Sequence, residues 1–364
     1  MSVFAELLIC WQKCHGRRHL PWQGTDDPYA VWLSEVMLQQ TQVNTVIPYY
    51  QRFIRRFPSI KILAQSPLDD VLAAWSGLGY YSRGRNLHRA ACRIMTDYQG
   101  VFPQSRESIQ QLPGIGRSTA AAIAVFAFGQ REAIMDGNAK RVFVRYFGIR
   151  NYPGEPKTLK QLWELAEQSL PETNHGDDIQ VYTQGLMDLG ALVCLRRNPL
   201  CGQCPVQDTC AAYRENCVAQ LPVPKPSKPL PEKQTVFLIY TTKNKLLLEK
   251  RPSKGIWGGL WCFPEETGDA DRSIALNHGQ RVDLPPLMHT FTHYRLWINP
   301  QRIEIDRVHE QSEKTVIWIE PEKALELAIP VPVKKLIQQH FLGNTRPNGR
   351  LEDVAATTTQ TDHC

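Results

Sequence analysis

The spacing of apolar side chains changes character once along the chain. Before residue 220, apolar residues recur every three to four positions, which predicts amphipathic helices. Residues typical of helix N-termini support this prediction. At Asp27-Pro28, for example, Asp can cap a helix and Pro can occupy its first turn. After residue 234, short apolar runs predict strands, and helices are predicted near 321–328 and 332–341. The predicted strands are Thr235–Tyr240, Lys245–Glu249, Arg302–Asp306 and Thr315–Ile319. The pattern therefore predicts an all-α part followed by a smaller α+β part.

A group of prolines separates the two parts and alternates with lysines, a composition typical of a stiff, extended connector. The prolines are Pro222, Pro224, Pro226, Pro229 and Pro231. The expected division is a helical domain at 1–217, a connector at 218–234, an α+β domain at 235–342 and a polar, Thr-rich, disordered tail at 343–364.

Length and composition agree with two globular domains. A chain of 364 residues exceeds what one hydrophobic core usually supports, and 42% apolar with 21% charged residues excludes a wholly disordered or membrane-embedded chain. No apolar run is long enough to span a bilayer, and no basic region precedes the short apolar stretch at the N-terminus, so we expect a cytosolic protein. The net charge of +6 favours a polyanionic partner without demanding one.

Four cysteines crowd into the segment 194–210. Cys194, Cys201, Cys204 and Cys210 are spaced C-x6-C-x2-C-x5-C, and four thiolates so close in sequence can hold one zinc ion or one 4Fe-4S cluster. Only one C-x2-C pair is present, and the wider gaps on either side suit the corners of a cluster better than a single ion. We therefore favour the cluster, with zinc as the alternative, in a structural role.

The segment Leu112-Pro113-Gly114-Ile115-Gly116 precedes a predicted helix of small and apolar residues. Two glycines let the backbone approach a ligand closely, and the first N–H groups of the helix can bind an anion. This order favours a phosphate-binding hairpin. The alternative is a tight turn in which the glycines serve packing only.

Two carboxylates lie in unusual positions. Glu35 belongs to a predicted helix whose neighbouring side chains are mostly apolar, so burial would raise its pKa and make it a general acid. Asp136 stands at the entry to another helix, where an ordinary capping role is the alternative. For Glu35 the alternative is a place on the solvated edge of an amphipathic helix.

The segment 75–86 combines paired tyrosines, glycines and two arginines. Such a mixture suits stacking on bases and contact with phosphates, whereas an interhelical loop with buried tyrosines is the alternative.

Taken together, these motifs resemble the helix-hairpin-helix DNA glycosylases that carry a 4Fe-4S cluster, and specifically their adenine-removing MutY branch. The motifs that carry the resemblance are Leu33–Val43, Gly77–Tyr81, Leu112–Gly116, Met135–Asn138 and the four-cysteine spacing. They occur in the family's order, and the resemblance covers residues from about 4 to 342. It implies an all-α helix-hairpin-helix domain with a cluster loop, followed by a smaller Nudix-like domain.

The resemblance also implies a reaction, in which adenine opposite 8-oxoguanine or guanine is flipped out of duplex DNA and excised. Glu35 matches the family's acid, and Asp136 matches the carboxylate that stabilises the cationic sugar. The positions implied to wedge into the duplex or contact its backbone are Gln40, Leu78, Tyr80, Gly114 and Gly116. A monomer is expected, acting in the cytoplasm of a bacterial-type cell and associated with the nucleoid during repair.

One residue distinguishes this chain from the strand-cleaving relative endonuclease III. That enzyme has a Schiff-base lysine at the position where this chain has Ser118. A monofunctional glycosylase is therefore implied. Ser118 and Lys140 are counted with the DNA-binding residues, and Lys140, close to Asp136 in sequence, is expected to trap an abasic product at most incidentally.

The second domain resembles a Nudix-like lesion-recognition domain through Gly255–Pro264 and Met288–Tyr294. Residues 265–285 contain no Arg-Glu pair of the kind that binds magnesium in Nudix hydrolases, so recognition of the base opposite adenine is the implied role. The implied contacts to 8-oxoguanine are Phe291, Thr292 and His293, with Thr292 in place of the family's usual serine.

Overall fold

The computed structural model describes residues 2–172, 176–225, 229–266, 280–305 and 315–342. The first domain is helical in this part of the chain, as its apolar periodicity predicts. Its helices are α1 (Val3–His15), α2 (Pro28–Leu38), α3 (Val43–Arg56), α4 (Ile60–Gln65), α5 (Leu68–Ala74), α6 (Ser82–Asp97), α7 (Arg106–Gln110), α8 (Arg117–Phe128), α9 (Gly137–Tyr146), α10 (Pro156–Gln168), α11 (Gly176–Asp188) and α12 (Ala211–Arg214).

Two hydrophobic cores meet at α8. Ala120, Ile123 and Ala124 face one core, which also contains most of α2 and the buried sides of α3 and α6. Ala121 and Val125 face the other core, built mainly from α1, α9 and α11. Small side chains on α8 allow this close approach on both sides. The hairpin that leads into α8 is thereby held between the two halves of the domain.

Helix α2 begins as its sequence predicts. The Asp27 side chain accepts a hydrogen bond from the Tyr29 N–H at 3.0 Å, and Pro28 occupies the first helical position. Most of the α2 side chains are buried, including Trp32 and Met37. A carboxylate on this helix therefore has mainly apolar neighbours.

The second domain is a mixed sheet covered by a helix. Long strands β1 and β6 run parallel at its centre, and the other strand pairs are antiparallel. The described elements are β1 (Glu232–Thr242), β2 (Lys245–Lys250), β3 (Trp261–Cys262), β4 (Arg281–Asp283), β5 (Leu287–Thr290), β6 (Arg295–Glu304), β7 (Val316–Ile319), α13 (Pro321–Ala324) and α14 (Val331–His340). The order along the sheet is β3-β2-β1-β6-β4, with β5 on β6 and β7 on β2. The predicted α+β class is confirmed.

Several element boundaries differ from the sequence predictions. Strand β6 begins at Arg295, seven residues before the predicted run, because the buried alternation starts there. The helix predicted at 321–328 ends at Ala324. The tail predicted at 343–364 lies outside the described residues.

Both ends of the expected connector belong to a domain. Leu221 is 4% exposed and packs in the core of the helical domain, because the chain continues in a 3-10 turn at Val218–Gln220. At the other end, β1 begins at Glu232. The stretch between the two folded parts is therefore shorter than 218–234.

The two domains share buried contacts. Leu260 and Ala328, both from the second domain, belong to the same core as Trp75 and Leu78 of the helical domain. Lys250 forms an ion pair with Asp69 on α5, with Nζ to Oδ2 at 2.6 Å. In the described ranges, no helix has the length and apolarity needed to cross a bilayer.

Candidate active site and DNA-facing surface

A cavity of about 680 Å³ opens between α2, α11 and the loop after α1, and Glu35 is part of its wall. Its size falls in the range of pockets that hold small molecules. The apolar part of the wall includes Leu20, Trp22, Val31, Leu38 and Phe126, and the polar part includes Arg17, Gln23, Gln180 and Gln184. A flat, heteroaromatic ligand with several hydrogen-bonding atoms suits this mixture.

The surroundings of Glu35 favour the protonated form of its carboxyl. Burial raises the pKa of its carboxyl to about 8, and the negative charge of Asp136 adds to the rise. The acid is therefore protonated at neutral pH while it faces the cavity. Glu35 is half-buried in the cavity wall and most of its neighbours on α2 are buried, which argues against the alternative of a solvated helix edge.

Asp136 caps a helix and also lies near Glu35. It caps α9, where its Oδ1 accepts a hydrogen bond from the Ala139 N–H at 2.7 Å. It is also near enough to Glu35 for its charge to shift the pKa of that group. Burial raises the pKa of Asp136, whereas backbone N–H donors and the cations Arg141 and Lys140 lower it. These donors fix the carboxylate at the edge of the site.

Ser118 makes a structural hydrogen bond at the position where endonuclease III has its nucleophilic lysine. Its Oγ accepts a hydrogen bond from the Met135 N–H at 2.9 Å, which ties the start of α8 to the residue before Asp136. Lys140 lies in the first turn of α9, and its N–H bonds back to the Asp136 carbonyl at 3.0 Å. The structure thus brings Ser118, Asp136 and Lys140 to one region.

Gln40 and Tyr80 are the outward-facing members of the predicted wedge. Both are non-glycine residues in the left-handed region, with φ of 57° and 46°, and Tyr80 is 44% exposed. Such backbone conformations concentrate at functional loops. Leu78 differs from its prediction, because it is only 6% exposed and packs in the core. Its burial argues against a wedge role.

Arg83, on α6, joins the two wedge loops and was missed as a site residue. Its guanidinium is 8% exposed and donates to the carbonyls of Val36, Met37 and Gln39 at the end of α2. It also donates to the carbonyls of Leu78 and Gly79, each at 3.3 Å. The arginine expected to contact phosphate instead holds the loops of Gln40 and Tyr80 together. Its partners at the end of α2 lie 44 to 47 residues away in sequence, which hides the role from motif analysis.

The hairpin uses its two glycines differently. Gly114 has φ of +80°, and a Cβ there would lie 2.6 Å from the Asn86 Cβ, so both conformation and packing require glycine. Gly116 is the N-cap of α8 and is exposed, and a Cβ there would meet no atom within 4 Å. The first turn of α8 therefore presents its N–H groups to open space, as an anion site requires.

The four predicted cluster ligands surround one small cavity. Cys194, Cys201, Cys204 and Cys210 all line it, together with apolar side chains of α9 and the following loops. Burial raises the pKa of Cys204 to about 12, so a thiolate there needs a compensating cation such as cluster iron. Among the described residues, no His, Cys, Asp or Glu group converges tightly enough for a single metal ion. Four cysteine sulfurs beside one cavity are the donor set that 4Fe-4S clusters use.

Two arginines on α9 connect the cluster loop to the active site. Arg141 donates to the Cys194 carbonyl at 2.8 Å and to Asn138 Oδ1 at 2.9 Å, two residues beyond Asp136. Arg145 is 3% exposed and donates to Cys194 Sγ at 3.3 Å. Sequence reasoning missed both. Their spacing of four residues on a helix that begins at Asp136 is the signal that could have indicated a shared face.

The predicted lesion-recognition loop joins β5 to β6. Thr292 and His293 are exposed, and Thr292 Oγ1 lies 3.4 Å from His293 Nδ1. Phe291 packs between the rings of Trp257 and Tyr294, with centroid distances of 5.4 and 4.7 Å. The aromatic residues support the loop from below and leave its two polar side chains available for a partner.

Comparisons with known proteins agree with these features. Family profiles match three segments: an HhH-GPD superfamily base excision DNA repair protein at 33–168, the iron-sulfur binding domain of endonuclease III at 194–210 and a NUDIX domain at 235–339. A solved thermostable thymine-DNA glycosylase is similar at 32% identity with a TM-score of 0.53, covering 58% of this chain and 96% of that one.

Curated relatives extend the similarity to both domains. An adenine DNA glycosylase of Buchnera aphidicola subsp. Baizongia pistaciae is 41% identical over 94% of this chain and 98% of its own length. One from Buchnera aphidicola subsp. Schizaphis graminum is 38% identical over 92% of this chain and 98% of its own length. The human adenine DNA glycosylase is 32% identical over 93% of this chain and 74% of its own length. The chain belongs to the adenine DNA glycosylases, a helix-hairpin-helix family of base-excision repair enzymes with a 4Fe-4S cluster.

Proposed function

We propose that this enzyme removes adenine paired with 8-oxoguanine or guanine in duplex DNA and leaves the strand intact. The observation that carries the proposal is the Glu35 carboxyl in the wall of the 680 Å³ cavity, where burial and the nearby charge of Asp136 raise its pKa to about 8. Adenine as an anion is a poor leaving group, whereas protonated adenine leaves readily. A buried acid with a pKa of about 8 supplies that proton at physiological pH.

The reaction proceeds from the flipped nucleotide. Glu35 donates its proton to a ring nitrogen of adenine, the N-glycosidic bond breaks, and its electron pair leaves with the base. The positive charge left on the sugar is stabilised by Asp136, as an oxocarbenium ion is by a nearby carboxylate. Water then adds to C1′, and its proton passes to a carboxylate of the site. Cys194, Cys201, Cys204 and Cys210 would hold the cluster, which when bound would cross-link the segment 194–210 beside α9.

The surface around the cavity supports duplex binding. Gln40 and Tyr80 are proposed to enter the helix where adenine is extruded, and Gly114, Gly116 and Lys140 to contact the DNA backbone. Thr292 and His293, with Phe291 beneath, are proposed to read the base opposite adenine. We further propose that the enzyme acts as a monomer in the cytoplasm, on the nucleoid; the bacterial relatives agree with the cytoplasmic part of this proposal.

The test is adenine release from duplexes containing A opposite 8-oxoguanine or G, with A:T and 8-oxoguanine:C duplexes as controls, each resolved with and without hot alkali. We expect abasic product from the mispaired duplexes only, and strand breaks only after alkali. Glu35→Gln should bind the same duplex yet lose about 10²–10⁴-fold in rate, the usual contribution of a general acid.

Glu6→Gln is the matched control, since Glu6 is an exposed glutamate on α1. Its rate should equal that of the wild type. Equal rates for Glu35→Gln and the wild type would show that Glu35 is not the general acid. Strand breaks without alkali would show that the enzyme is a lyase that cleaves the strand itself.

A further inference from the structure

Two arginines near the start of α6 hold different parts of the molecule. Arg83 binds the loops that carry Gln40 and Tyr80. Two residues later, Arg85 Nη1 donates to the Gly258 carbonyl of the second domain at 2.6 Å. Residues two apart on a helix point to different sides. The same end of α6 is therefore fixed to the wedge loops on one side and to the second domain on the other.

The segment that Arg85 binds also supports the lesion-recognition loop. Gly258 follows Trp257, whose ring lies 5.4 Å from Phe291 and 5.7 Å from His289. Trp257 is itself in the left-handed region, at φ of 53°. A backbone segment held in this way can adopt few other conformations that keep the same contacts. The Trp257–Gly258 segment therefore contacts Phe291 through its ring and Arg85 through its carbonyl.

A second contact enters the wedge loop directly. The Tyr81 hydroxyl donates to the Ile329 carbonyl at 2.9 Å, in a buried position between the domains. The next residue back is Tyr80, which is exposed and has positive φ. Two successive residues of this loop therefore have different contacts: Tyr81 is anchored to the second domain, and Tyr80 is presented to DNA.

We propose that Arg85 is a positioning residue that determines specificity, with Tyr81 as its companion. When the 291–293 loop binds 8-oxoguanine, these contacts set the Gln40 and Tyr80 loops in the arrangement that extrudes adenine. When guanine is the base opposite adenine, the two loops adopt this arrangement less often, and excision of adenine is slower. This inference rests on the proposed reading of 8-oxoguanine by the second domain.

The experiment measures single-turnover adenine release from A:8-oxoguanine and A:G duplexes by the full-length protein with its cluster. Arg85→Met removes the donor and retains the length of the side chain. We expect the ratio of the two rates to fall by about fivefold or more, at the lower end of typical coupling between sites, with the A:G rate unchanged. Arg85→Lys should restore most of the ratio, and Tyr81→Phe should lower it in the same way.

A double-mutant cycle with Thr292→Ala distinguishes coupling from general damage. If Arg85 acts through the recognition loop, Arg85→Met adds no further loss once Thr292 is replaced. Independent, multiplicative losses would overturn the inference, as would a wild-type ratio in Arg85→Met. If the wild type itself excises adenine equally from both duplexes, the proposed reading of 8-oxoguanine fails, and the inference fails with it. Visible absorbance of the cluster and the thermal midpoint show that each variant is folded.

Discussion

At the scale of single residues, the pKa of Glu35 determines how the enzyme responds to pH. The carboxyl must be protonated to act, and burial with the nearby Asp136 charge raises its pKa to about 8. The active fraction is therefore high below pH 8 and falls tenfold for each pH unit above it. We expect the single-turnover rate on a mispaired duplex to decline with a midpoint near pH 8. A profile that rises through this range would mean that the carboxylate is the active form.

Asp136 offers a second test, because its two roles can be separated. Asparagine caps helices about as well as aspartate but carries no charge. Asp136→Asn should therefore retain the thermal midpoint and lose most of the excision rate. Asp136→Ala should lose the rate and also about 1 kcal/mol of stability, through loss of the bond to the Ala139 N–H. An active, stable Asp136→Asn would reduce this residue to a cap.

At the scale of elements, the hairpin before α8 contains a matched pair of glycines. Gly114→Ala is expected to destabilise the domain, because φ is +80° and the new Cβ would meet Asn86 at 2.6 Å. Gly116→Ala adds a methyl group in open space at the N-cap of α8, so its thermal midpoint should be that of the wild type. If a DNA phosphate binds there, Gly116→Ala weakens duplex binding and Gly116→Ser does so less. Unchanged binding in a titration at fixed salt would contradict the phosphate site.

What sequence analysis could predict of these elements depends on how local the cause is. The start of α2 follows from Asp27 and Pro28, and the cluster loop follows from four cysteines within one short segment. In contrast, the composition of segment 75–86 suited contact with phosphates, yet its Arg83 and Arg85 bind backbone carbonyls, the farthest of them 173 residues away. Such contacts depend on how helices and domains pack, which no pattern within segment 75–86 contains.

At the scale of the whole molecule, the second domain completes a core of the first. Leu260 and Ala328 belong to the buried core that contains Trp75 and Leu78 of the helical domain. A domain attached only by a connector would leave the other's stability unchanged. Here buried side chains of the second domain belong to a core of the helical domain, so the two domains are expected to unfold together.

Two substitutions in the second domain test this cooperativity. Leu260→Ala removes a fully buried side chain from the shared core and should cost about 2–5 kcal/mol of stability. Lys250→Ala breaks the partly exposed ion pair with Asp69 and should cost less than about 1 kcal/mol. In denaturant unfolding, Leu260→Ala should lower the midpoint of the helical signal in far-ultraviolet circular dichroism, although the residue lies outside that domain. Two separate transitions, with the helical one unmoved, would show that the domains fold independently and that the interface does not transmit stability.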